Sequence, residues 1–175
     1  MAPYAKLFNK YWPGQEIVFL GFDECEVPDL PDNCEFVSLG KQSDYGRIWS
    51  TPLIPYIKSL KDEYFVFTVE DVMLIDKVDT DKLSLLVDEI ENGASKAHLD
   101  RSMNNRTNRI KEGVLAVLPD ATYRTSLSPS IWTKRYFMKY LKPEMTAWDF
   151  EIVGSRRARK FNKFYSVNKN LIFLF

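Results

Sequence analysis

The chain has 175 residues with 24 basic and 24 acidic side chains, a net charge of zero, 45% hydrophobic and 27% charged residues; that is the balance of an ordinary globular protein and fits one domain, 1–175, that buries its core without disulfide staples. The neutral balance supplies no field to gather a nucleic-acid backbone or an anionic membrane, so no nucleic-acid partner is expected. No apolar run approaches the about 18 residues of a membrane span, and "MAPYAKLFNKYW" lacks the apolar core of a signal peptide, so a cytoplasmic location is expected.

Residues 3–11 are expected to form a short helix with Leu7, Phe8 and Tyr11 apolar. After the turn "WPG", "EIVFLGF" (16–22) is a β-rich run, and "CEFVSLG" (34–40) is a second. The Pro- and Asp-rich stretch between them holds Cys25 and leads to Cys34. Two cysteines without CxxC spacing make neither a zinc site nor a scaffold, so free thiols are expected. A helix follows in 46–63, with Ser50 or Thr51 as cap, Pro52 at its first position, and Leu53, Ile57 and Leu60 at helical spacing.

"YFVFTV" (64–69) reads as a buried strand that ends on two adjacent acids, Glu70 and Asp71. "DTDKLSLLVDEIENG" (79–93) is an amphipathic helix with acids at its start and Gly93 as its stop. "SKAHLDRS" (95–102), "GVLAVLP" (113–119) and "YRTSLS" (123–128) are expected strands, and the basic "MNNRTNRIKEG" (103–113) a loop; its "NRT" at Asn105 matches a glycosylation acceptor, which means nothing without secretion. Ser130 would cap a helix over 131–142, and Thr146 one over 147–161. Two strands around a polar turn would fill 164–175. Strands alternating with helices predict an α/β layer architecture with a mainly parallel, mixed sheet flanked by helices.

In open α/β sheets ligands gather at the carboxyl ends of strands, where Glu70 and Asp71 fall. Mg²⁺ or Mn²⁺ favours carboxylate oxygens and shares its other positions with water and substrate phosphates. The two acids therefore form a candidate station for a metal and a diphosphate, although acids after a strand also serve simply to open a turn or cap a helix. In "TAWDFEIVGSRRA" (146–158), Asp149 and Glu151 lie near the positive end of a helix dipole, which favours their charged form. Either is a candidate general base, with Trp148 as a flat wall for a sugar ring; capping by Asp149 and core packing of Trp148 is the other reading. Arg156 and Arg157 present guanidinium forks that match phosphate oxygens. His98, the single histidine, is expected to be a hydrogen-bonded core residue.

Taken in order, "KYWPG", "EIVFLGF", "FVSLG", "DEYFVFTVEDVML", "YRTSLSPSIW" and "WDFEIVGSRRAR" resemble nucleotide-sugar-dependent glycosyltransferases of the GT-A fold, small bacterial and phage or viral members above all, over about Tyr11 to Lys160. The resemblance implies a GT-A-like, Rossmann-related sheet that lacks the family's opening strand and is incomplete at both ends, with self-association through an unpaired edge. It implies a nucleotide-sugar donor and a saccharide or other hydroxyl acceptor. Asp71 would bind the metal with Glu70, Val69 replacing the family's first acid. Glu151, slightly ahead of Asp149, would take the acceptor proton, and Ser128 and Trp132 would contact substrate. A non-catalytic binding or assembly module on a degenerate scaffold of this kind is the alternative, and a coat-associated structural protein a weaker third.

Overall fold

The computed structural model describes residues 1–24, 27–100, 106–160 and 163–167, and the backbone of 173–174. Cys25, Asn105 and the expected turn at 168–172 lie outside the described residues; Cys34 is a free thiol.

Helix α1 (Ala2–Tyr11) begins with a proline in its first turn, where a missing N–H costs nothing, and buries Tyr4, Ala5 and Phe8. Strands β1 (Ile17–Gly21) and β2 (Cys34–Ser38) pair in parallel, from Ile17 with Cys34 to Gly21 with Ser38. A single turn, α2 (Gln42–Tyr45), precedes α3 (Ser50–Ser59). Pro52 stands third in α3, and Ser50, rather than capping it, accepts from the Met145 amide at 2.8 Å. Strand β3 (Tyr64–Phe67) and the two-residue β4 (Met73–Leu74) lead into α4 (Thr80–Glu91), which Asp79 caps by accepting from the Lys82 amide. Gly93 ends it at φ +88°, a conformation that side chains resist.

The chain continues through β5 (Lys96–His98), the hairpin β6 (Thr107–Lys111) and β7 (Val114–Val117), and β8 (Ser130–Thr133). It ends with α5 (Lys134–Tyr140), α6 (Ala147–Ala158), β9 (Phe164–Val167) and β10 (Phe173–Leu174), the last paired antiparallel with β4. Six strands form one sheet in the order β3-β8-β5-β9-β7-β6.

That sheet corrects the expectation of mainly parallel strands. β3–β8, β8–β5, β9–β7 and β7–β6 are antiparallel, and β5–β9 is its parallel pairing. The reason is local. Instead of a helix between β5 and β8 the chain inserts a hairpin, turning at Glu112–Gly113 with Gly113 at φ +81°. Its first strand, β6, lies in the stretch expected to be loop. Residues 123–128 form turns and loop rather than the expected strand. Ile131 and Trp132, expected to open a helix, point into opposite cores, one on each side of the sheet. That is the period of a strand, so α5 starts only at Lys134.

Alternation along the strands builds three layers. Ala97, Leu99, Ile131, Tyr165 and Val167 pack with Tyr4 and Phe8 of α1 and Leu86 and Ile90 of α4. Trp132 and Phe164 pack on the other side with Leu53 and Ile57 of α3, Phe137 of α5 and Phe150 of α6. The residues that alternate with the first set, Lys96, His98, Ser130 and Ser166, are polar and wholly buried. They face the α3, α5 and α6 layer.

Candidate functional site

The register brings several polar segments to one end of the sheet. Phe67 of β3 pairs with Ser130 of β8, Ser130 with His98 of β5, and His98 with Ser166 of β9. These pairs mark the carboxyl ends of β3, β5 and β9. Just beyond them lie the Thr68–Asp71 segment, Leu99–Asp100, and, leading into β8, Ser126–Pro129. The Leu99 amide donates to the Pro129 carbonyl at 2.8 Å and ties two of these segments together.

The loop before β8 is strapped to α6. The Thr125 hydroxyl donates toward the carbonyls of Phe150 (2.9 Å) and Glu151 (3.1 Å), and the Thr125 amide donates to the Ser155 hydroxyl at 3.1 Å. The approach is close because residue 154 is glycine: a Cβ there would meet the Thr125 hydroxyl oxygen at 2.6 Å. Farther along, the buried Arg124 guanidinium donates to the Ala158 carbonyl at 2.6 Å and stacks over the Phe164 ring.

At the centre of this loop one peptide group is held from both sides. The Leu127 amide donates to Oε1 of Glu151 at 2.7 Å, and the Ser126 carbonyl accepts from Nζ of Lys96 at 2.7 Å. Both atoms belong to the peptide bond joining Ser126 and Leu127, so an amine and a carboxylate polarise it in the same sense. Lys96 is fully buried, with the Arg124 carbonyl and the Ser126 hydroxyl each 3.4 Å from Nζ and the Trp132 ring centroid at 4.6 Å. Burial pushes its amine well below the ordinary lysine range, while the charges of Asp100 and Glu151 pull the other way. His98, also fully buried, is driven well below its ordinary value by burial first and by the Lys96 charge second, against a favourable interaction with the Arg124 backbone. Neither of its ring nitrogens makes a hydrogen bond of normal geometry to a described residue. It is a fully buried core residue, as expected.

The residues singled out from the sequence fall into distinct settings. Glu70 and Asp71 are exposed in the turn after β3. Glu151 is half-buried on the second turn of α6, with Oε1 engaged as described and Oε2 accepting no hydrogen bond from a described residue. Asp149 completes the expected capping box: its Oδ2 accepts from the Thr146 amide (2.9 Å) and hydroxyl (2.7 Å), and these bonds, the hydroxyl's first, lower its pKa. Trp148 is 66% exposed, whereas Trp132 is fully buried and presents no surface to a ligand. Ser128 is buried, its hydroxyl 2.8 Å from that of Ser126.

Arg156 and Arg157 lie elsewhere. They line a groove with Tyr140, whose ring packs on Phe164 at the amino end of β9, the opposite end of that strand from Ser166.

Sequence reasoning missed Lys96, Asp100, Arg124 and Ser126. The available signal was the polar–apolar alternation of "KAHLD", which normally marks a strand with one wet face. In a central strand covered by helices it marks a buried polar row instead.

Among the described residues no group of three or more His, Cys, Asp or Glu side chains is placed to hold a metal ion. Glu70 and Asp71 remain as a two-carboxylate donor set, which fits the habit of Mg²⁺ and Mn²⁺ of taking one or two carboxylates and completing the shell with water and phosphate. No family model, curated protein sequence or solved structure matches this chain.

Proposed function

We propose that the chain is a metal-dependent glycosyltransferase that moves a sugar from a nucleotide-diphosphate donor to a hydroxyl acceptor. The observation that supports this reading is the β3–β8–β5 register, in which the segments that carry Glu70–Asp71, Asp100 and Ser126–Ser128 follow or precede strand ends on one side of the sheet, with Glu151 bonded to the Leu127 amide. In this reading Glu70 and Asp71 hold Mn²⁺ or Mg²⁺ at the exposed turn. The ion, when bound, neutralises charge that builds on the departing diphosphate.

The acceptor hydroxyl attacks the anomeric carbon, the bond from that carbon to the diphosphate oxygen breaks, and the acceptor proton passes to a carboxylate. Glu151 suits that role better than Asp149. Its Oε1 is fixed by the Leu127 amide while Oε2 is left to take the proton, whereas Asp149 already receives two hydrogen bonds from the cap residue. Exposed Trp148, on the same helical stretch, offers an apolar plane to a sugar ring. Glu151→Gln keeps the Leu127 contact and removes the base, so it is expected to lower transfer by about 100-fold or more while leaving donor binding intact. Full transfer by this variant contradicts the assignment.

A second reading is a binding or assembly module on the same scaffold. It is favoured by the structural employment of both α6 acids and by the burial of Trp132 and Ser128. Binding of a saccharide or sugar nucleotide without turnover, unaffected by Glu151→Gln, would select it.

A further inference from the structure

We infer that the groove between the ends of α5 and α6 is an anion site for the phosphate or diphosphate group of a small phosphorylated ligand, separate from the Glu70–Asp71 end of the sheet. The groove encloses about 410 Å³ and is lined by Lys139, Tyr140, Val153, Arg156, Arg157 and Lys160. Four of those six side chains are cationic, in a chain whose 24 basic and 24 acidic residues balance. The ion pairs among the described residues join Lys82 to Asp79, Arg106 to Asp120 and Lys111 to Glu89. Arg156, Arg157 and Lys160 therefore take part in none of them.

Cations in the last turn of a helix also answer its dipole, and that would explain the cluster without a ligand. The end of α6 is met from inside, however: the buried Arg124 guanidinium donates to the Ala158 carbonyl at 2.6 Å. The exposed arginines are additional to that contact. A second observation points to a ligand. Tyr140 lines the groove and is 1% exposed, yet its hydroxyl has no hydrogen-bond partner among the described residues. A buried donor is expected to be satisfied, and an anion seated in the groove would satisfy it.

The chemistry selects phosphate. Guanidinium forks match its oxygens two at a time, and an ammonium adds a point charge. Val153 and the wall of Tyr140 leave an apolar flank for the rest of the ligand. This site stands independently of the sugar-transfer reading, since it shares no residue with the proposed metal station or base.

The test is a calorimetric titration of the full chain with inorganic pyrophosphate in EDTA, which silences any metal-dependent donor site, at two salt concentrations. Saturable binding that weakens with salt is expected. Arg156→Glu with Arg157→Glu, both on the surface, should weaken it at least about a hundredfold, and Tyr140→Phe, which deletes one hydroxyl, about tenfold. Thermal melting of each variant, expected to stay as in the parent, verifies the fold. Absence of binding to the parent chain, or parental affinity in either folded variant, overturns the site whatever the outcome of sugar-transfer assays.

Discussion

At residue 96 a lysine sits where an apolar side chain would ordinarily be, and its surroundings explain how it is tolerated. Two carbonyl oxygens, a hydroxyl and the face of Trp132 surround Nζ, and the charges of Asp100 and Glu151 act on it. Removing the amine leaves the buried Ser126 carbonyl, its partner at 2.7 Å, unsatisfied, which costs about 1–3 kcal/mol. Lys96→Met, similar in length, is expected to lose that much in urea unfolding. A loss below about 1 kcal/mol would mean that Lys96 does not brace the loop. His98 yields a sharper signature because it is the single histidine. Its folded-state pKa is lowered, so as pH falls through about 6.5 the unfolded chain gains a proton that the folded chain refuses. Stability therefore drops between pH 7 and 5, by up to about 2 kcal/mol. His98→Gln should flatten that slope; an equal slope in the variant would assign it to other groups.

Among the elements, the strap from the 124–128 loop onto α6 is the joint on which the candidate site depends, and Gly154 is where it closes. Alanine would gain about 1 kcal/mol of helix propensity, but its Cβ would meet the Thr125 hydroxyl oxygen at 2.6 Å and the Thr125 Cβ at 3.2 Å. Crowding of this kind costs about 1–3 kcal/mol and would disturb the Thr125 bonds to Phe150, Glu151 and Ser155. Gly154→Ala is thus expected to lower the melting temperature; an unchanged or higher value would show that the loop yields without loss.

The elements that could be read from the sequence are those with their own punctuation. α4 has Asp79 and Gly93 at its ends, α6 has its capping box, and α1 has its apolar stripe. β8 was hidden because its Ile131 and Trp132 run straight into an amphipathic helix. β6 was hidden because its exposed Asn108, Arg109 and Ile110, at the sheet's edge, carry the polarity of a loop. Glu70, Asp71, Asp149 and Glu151 were legible because strand ends and helix starts attract acids; Asp100, just past β5, was not. Lys96 and Arg124 were not, since long charged residues are rarely fully buried and their partners lie about thirty residues away in the chain.

On the scale of the whole molecule, charge is sorted by position along the sheet. The exposed acids Glu70 and Asp71 follow β3 at the carboxyl ends of three strands, while the exposed Arg156 and Arg157 of α6 gather beside Tyr140, which packs on Phe164 at the amino end of β9. A neutral chain thus carries two local fields of opposite sign. The sheet's outer strands, β3 and β6, have different character: β3 exposes Tyr64 and Val66, and β6 exposes two polar residues beside Ile110. Any self-association through an edge would therefore engage β3 more readily than β6. No helix among the described residues is long and apolar enough to cross a membrane.

The decisive measurement is calorimetric titration of sugar nucleotides into the chain with and without Mn²⁺, repeated on Asp71→Asn. Heat of binding that requires the metal, is lost in Asp71→Asn and is retained in Glu151→Gln is the predicted result. Absence of binding to every common sugar nucleotide, or metal-dependent binding that survives Asp71→Asn, would contradict the account.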